Sequence, residues 1–173
     1  MSSRRNQPQR TARDESELTR RRVLLAAGTG AAAALAGCSS GDDKVHYERG
    51  AVENVSGETR SADEMVAAEA VAQLTPNDNA RSLDGLSITD YELTVKDGYA
   101  GPTVTGTVAN DGGRVKLAEV RVRVYDEAGN HLGRYLDSTG DLNGDSTWKF
   151  GVVLLESPSD IAAYDIAVLG IPT

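Results

Sequence analysis

Apolar and polar positions alternate through most of the chain beyond residue 86. Tyr91, Leu93 and Val95 alternate with Glu92 and Thr94, Val104, Gly106 and Val108 with threonines, and Val120, Val122 and Val124 with Arg121 and Arg123. A period of two describes a strand with one face buried and one solvated. Further strands are predicted from His131 to Leu136, through Trp148, Phe150 and Val152, and from Ile161 to Leu169, where Tyr164, Ile166 and Val168 share a face. Leu86 and Ile88 have the opposite parity to Tyr91, so a bulge is predicted near Thr89 and Asp90. Turn sequences separate the runs: Asp97-Gly98, Asn110 to Gly113, Asp126 to Asn130, Asn143 to Asp145, and a loop from Glu156 to Asp160 that holds Pro158. Six or seven short antiparallel strands at this spacing predict an all-β, immunoglobulin-like antiparallel β-sandwich over residues 86–173. With no cysteine pair to bridge the sheets, Trp148 and Phe150 are the largest apolar groups available to fill the space between them.

Upstream the period changes. Ser61-Ala62-Asp63-Glu64 is a capping-box pattern, and the Ala-rich run after it places Val66, Ala67, Ala70, Val71 and Leu74 on one stripe until Thr75-Pro76 stops it. This predicts a helix from about Ala62 to Leu74 within a linker over residues 61–85, either docked on the domain, lying against the tether or offered to a partner. Residues 38–60 lack sustained periodicity and read as a flexible tether. Asn54-Val55-Ser56 within it is an N-glycosylation acceptor pattern.

Near the start, Arg20, Arg21 and Arg22 precede an uncharged run from Val23 to Ala36. As a helix that run would cover roughly 21 Å of a hydrocarbon core about 30 Å thick, too little to span it and suited to the apolar core of an export signal. Thr19-Arg20-Arg21-Arg22-Val23-Leu24-Leu25 resembles a twin-arginine (Tat) signal. Leu35-Ala36-Gly37-Cys38 resembles a lipobox, in which small residues admit a peptidase and Cys38 takes a lipid before becoming the new N-terminus. Cys38 is the only cysteine in the chain, so it has no internal disulfide partner. Two other readings fit the same residues, an ordinary secretory signal and an uncleaved anchor over residues 23–41. The lipoprotein reading makes residues 1–37 a signal peptide and puts the remainder on the outer face of the cell membrane.

That remainder holds 11 basic and 23 acidic residues, a net of −12. Repulsion among so many carboxylates opposes compaction unless salt screens it. The balance also argues against nucleic acid or an anionic bilayer surface as the partner, since both repel it. In its acidity and its scarcity of lysine the composition resembles proteins of halophilic archaea.

Over about residues 86 to 169 the chain resembles the FxLYD domain of prokaryotic secreted proteins and lipoproteins. The resemblance is carried by Gly106-Thr107-Val108-Ala109-Asn110, Val122-Arg123-Val124-Tyr125-Asp126, Ser146-Thr147-Trp148-Lys149-Phe150 and Tyr164-Asp165-Ile166. Val122 and Val124 stand where the name-giving pattern has Phe and Leu, while Tyr125 and Asp126 match it. The resemblance implies an immunoglobulin-like sandwich and brings no catalytic residues with it.

Candidate chemistry is sparse. His46 falls in the tether and His131 in a turn, neither with zinc spacing to further ligands, and no nucleophile-elbow pattern surrounds a serine. Asp141 to Asp145 offers oxygen ligands but departs from the EF-hand spacing, and its residues are those a hairpin turn demands. No catalytic residue, cofactor or metal is therefore assigned. The sequence predicts a membrane-anchored extracytoplasmic lipoprotein acting as a protein-interaction or accessory module toward a surface or membrane protein, with a small-ligand or solute-binding accessory of a transporter as the alternative and an enzyme as a more distant one. Tyr99 and Pro158, in loops at the ends of the sandwich, are the candidate binding residues.

Overall fold

The computed structural model describes residues 45–173 apart from Asn54. Expectations for Arg20, Arg21, Leu35, Ala36, Gly37, Cys38 and Asn54 lie outside the described residues. In chain order the elements are β1 (Glu48–Gly50), α1 (Ala62–Val71), β2 (Leu86–Lys96), β3 (Gly101–Asn110), β4 (Val115–Tyr125), β5 (His131–Leu142), β6 (Ser146–Val153) and β7 (Ala163–Pro172), with short 3-10 turns at Gly98–Ala100 and Pro158–Asp160. The strands form two antiparallel sheets, ordered β1-β7-β4-β5 and β2-β3-β6.

Their inner faces make the core that the alternation predicts. Val104, Val108, Val120, Val122, Val124, Val152 and Ile166 are fully enclosed, joined by Leu93, Phe150 and Tyr164. The register of β2 against β3 shifts between Ile88 and Asp90, where the parity change predicts a bulge. Gly106 pairs with Tyr91 just past that bulge, and a Cβ there would run into the Asp90 carbonyl and the Phe150 ring. Phe150 is buried as expected, but Trp148 is only half-buried, tilted against Phe150 at a ring separation of 6.0 Å. The largest fully enclosed side chain is instead Tyr164, packed edge-on to Tyr91. β5 and β7 also extend past their predicted ends, to Leu142 and Pro172, because β4 between them continues down to Val115 and pairs with both.

The tether expectation is corrected from residue 45 onward. Arg49 pairs with Asp165 and Gly50 with Tyr164, so residues 48–50 add a strand to the edge of β7. Val52 and Val55 pack on the core. Gly50 permits this approach, since any Cβ there would meet the Tyr164 ring. A three-residue strand is too short to show a period, which is why pattern reading passes over it.

The helix starts as expected, with Ser61 and Glu64 forming a reciprocal capping box. It ends at Val71 rather than Leu74 and docks on the sandwich, but with the opposite side inward. Val66, Val71 and Leu74 are 67%, 48% and 52% exposed, whereas Ala68 is fully buried and Ala72 packs against the core. Attachments on either side of the helix set its rotation: the Arg60 guanidinium before it and a β-bridge from Gln73 to Leu136 after it. Small alanines then face the body because they allow the closest approach.

Candidate functional site

One end of the sandwich collects the 98–100 turn, the β4–β5 turn and the 158–160 turn, because the start of β3 pairs with the end of β6 and Tyr125 with Ala163. Tyr99 stands there half-exposed. Pro158, predicted as an exposed loop residue, is buried, so it offers no contact surface. The chain after β6 folds inward on it, with the Leu154 amide donating to the Pro102 carbonyl.

Arg60 ties this end together. Its Nε donates to the Tyr99 carbonyl at 2.8 Å, and its Nη2 donates to the carbonyls of Ala100 and Leu154, each at 2.8 Å. Gly101, at φ +45°, leaves room for the guanidinium directly above it. Tyr135 beneath donates to Glu156 at 2.8 Å, and burial first, then Glu156, pushes its hydroxyl pKa up. The β4–β5 turn is held by Asp126, whose carboxylate accepts from the Asn130 backbone and side chain, both at 2.8 Å. Those bonds hold its pKa below the usual carboxylate range. Asp126 therefore acts as a turn residue.

At the opposite end the buried Asn110 amide donates to the carbonyls of Gly113, Leu142 and Asn143, while its oxygen accepts from the Gly112 amide. This knits the β3–β4 and β5–β6 turns together. Asp141, near the end of β5, pairs with Arg114 at 2.7 Å. Both histidines are exposed, His131 standing edge-on to Tyr125 and His46 far from it along the chain. Among the described residues no group of three or more His, Cys, Asp or Glu could hold a metal ion, and no helix is long and apolar enough to cross a membrane.

A third feature has no forerunner in the sequence pattern. From Gln73 to Arg81 the chain crosses the outer face of the four-stranded sheet as a strap, bridged to Leu136 of β5 at one end and to Gly170 of β7 at the other. Midway it covers an ion pair on β4. Arg121 Nε lies 2.6 Å from Glu119 Oε1, the Asn77 amide donates to Glu119 Oε2 at 3.1 Å, and Arg121 Nη2 donates to the Asn77 carbonyl at 2.9 Å. Glu119 and Arg121 are thereby 2% and 5% exposed. Alternation with Val120 and Val122 had placed Arg121 on a solvated face. That face is covered by the strap in its lower half, while above the strap Arg123 and Tyr125 are half-buried, Arg123 against the Tyr47 ring and Tyr125 beneath Arg49.

Comparison with protein-family models, with curated proteins and with solved structures finds no match to the chain.

Proposed function

We propose that the protein is a Tat-exported lipoprotein, held on the outer face of the cell membrane by lipid on Cys38, whose immunoglobulin-like domain of the FxLYD kind serves as a protein-interaction or accessory module. The observation that carries this reading is the order of three arginines, a short uncharged apolar run and Leu35-Ala36-Gly37-Cys38, ending on the only cysteine of the chain. Six residues separate Cys38 from Val45, where the described body begins, so a lipid on Cys38 would hold the sandwich close to the bilayer. One lipid chain binds a bilayer only marginally, whereas two make attachment stable. The half-exposed Tyr99 at the loop end supports a binding role, rigid sheets being common carriers of recognition loops.

Expression of the full chain and of Cys38→Ser, in a host with twin-arginine export and lipoprotein processing, tests the reading. The native chain should fractionate with membranes and show by intact mass a lipid on an N-terminal Cys38, while Cys38→Ser should appear in the medium or as uncleaved precursor. An unmodified Cys38 in the membrane fraction sinks the reading.

A further inference from the structure

Above the strap, the outer face of the four-stranded sheet carries one transverse row of charged residues. Arg134 of β5 pairs in register with Arg123 of β4, Arg123 with Asp165 of β7, and Asp165 with Arg49 of β1. Side chains at one level of adjacent strands project to the same face, so three guanidiniums and one carboxylate stand side by side. These are three of the seven arginines that follow Cys38, on a part of the chain whose net charge is −12. Like charges directly opposite each other in an antiparallel pair are destabilising, so the Arg123–Arg134 pairing carries a cost. Asp165, 3.3 Å from Arg49, is the only acidic member of the row.

Aromatic rings frame the row. The Arg123 guanidinium lies 3.7 Å from the centre of the Tyr47 ring, and that of Arg49 lies 5.4 Å from the Tyr125 ring. Stacking of this sort orients a planar guanidinium and reduces the freedom it must lose on binding. Leu132, the extra residue where the β4–β5 register shifts two positions before Arg134, is 40% exposed, while the Arg49 side chain is 62% exposed. The patch thus combines oriented guanidiniums, tyrosine and one apolar residue, a composition that suits the centre of a protein interface.

We propose that this half-face is the docking site for an acidic polypeptide segment, its carboxylates taken by Arg49 and Arg134 beside the Tyr47-stacked Arg123, and an apolar side chain resting on Leu132. Planar guanidiniums match carboxylates in bidentate fashion. Charge complementarity selects a short acidic segment over an extended polyanion, because a duplex or a bilayer would also meet the acidic remainder of the surface and be repelled by it. The proposal rests on the reading of the protein as an interaction module, and supplies the partner's chemistry and its site.

The test uses the full chain in detergent and a fluorescent oligoglutamate of about a dozen residues, with the matching oligoglutamine, heparin and phosphatidylglycerol vesicles as comparison probes. Oligoglutamate should bind at low salt, oligoglutamine should not, and Arg49→Gln with Arg134→Gln should weaken binding about 10-fold or more, as expected for the loss of charge-assisted hydrogen bonds. Arg114→Gln, which removes one positive charge at the other end of the sandwich, should leave it unchanged. Arg134→Gln alone and Arg134→Lys, each checked for a melting temperature no lower than the native one, serve in case the double variant is unstable. Either should weaken binding, the lysine variant because it keeps the charge without the planar fork. Absence of oligoglutamate binding, equal binding by the variants, or capture of heparin or vesicles in place of oligoglutamate overturns the proposal. Anchoring is read separately through Cys38, so a lipidated protein that ignores oligoglutamate loses this site alone, and an unlipidated one that binds it loses only the anchor.

Discussion

Arg121 and Arg123 stand two residues apart on β4 and project to the same face of the same sheet. One is 5% exposed in an ion pair beneath the strap, and the other stacks on Tyr47 above it. Their strand, their side-chain type and their place in the alternation are identical, so none of these decides their environment. The strap does, and it is encoded some forty residues upstream in Gln73 to Arg81. A period of two reports which residues share a face. Whether that face meets water depends on a part of the chain that the pattern does not contain.

The largest expected effect lies under the strap. Glu119→Ala leaves the Arg121 guanidinium buried without its carboxylate and should cost about 3 to 5 kcal/mol, measured by thermal or denaturant unfolding. Replacing both residues with apolar groups of similar volume, Glu119→Leu with Arg121→Met, should recover most of that loss, because the cost of a buried ion pair lies in desolvating its charges. A double variant as unstable as Glu119→Ala would mean that the pair itself supplies the stability.

A smaller effect should appear on the strap. Asn77 meets the ion pair only through its backbone amide and carbonyl, so the two bonds do not depend on its side chain. Asn77→Ala loses the local bond that the Asn77 side chain accepts from the Asn79 amide and should cost about 1 kcal/mol. Asn77→Pro removes the amide that Glu119 accepts from, a charge-assisted bond worth about 1.5 to 3 kcal/mol. Hydrogen exchange in β4, with Arg121 and Arg123 monitored on either side of the strap boundary, should show protection falling at Arg121 first.

Much of this fold was legible in the sequence for a physical reason: β4, β3 and β2 bury one face in a shared core, and that burial writes itself into alternate positions. The capping box at Ser61 was legible because its two hydrogen bonds lie within four residues. The rotation of α1 was not, since it depends on Arg60 reaching the 98–100 turn and Leu154, and on Gln73 reaching β5. β1 and the strap escaped for the same reason, each held by backbone bonds to strands far along the chain. Of the candidate binding residues, Tyr99 proved accessible and Pro158 did not. The arginine row was invisible because Arg49, Arg123 and Arg134 become neighbours only through the register of four strands.

Tyrosines on the two sides of the sheet offer a pH comparison. Burial first, then Tyr91 and Glu92, pushes Tyr164 up to about 12, from an ordinary value near 10. The unfolded chain releases that proton at lower pH than the folded one, so stability should be intact below about pH 10 and fall as pH rises toward 12. On the outer face Tyr125 is also raised, by burial and then by Asp165, though less far. Tyr164→Phe should therefore flatten the alkaline loss of melting temperature more than Tyr125→Phe, and the reverse order would contradict the assignment of Tyr164 to the inner face.

The smallest effect is expected on the half above the strap, and there its sign matters more than its size. Arg134 faces Arg123 across the β4–β5 ladder, and the polar environment holds the repulsion between them to a few tenths of a kcal/mol. Arg134→Gln relieves it and should change stability by less than about 0.5 kcal/mol, toward greater stability at low salt. Raising the salt concentration screens the repulsion in the native protein and should bring the two melting temperatures together. Arg121→Gln, two residues from Arg123 on the same strand, should instead destabilise at every salt concentration, because Glu119 would remain buried without its guanidinium. A loss of stability from Arg134→Gln comparable to that from Arg121→Gln would mean that the upper half of the face is as closed as the lower, and the contrast between the two arginines of β4 would fail.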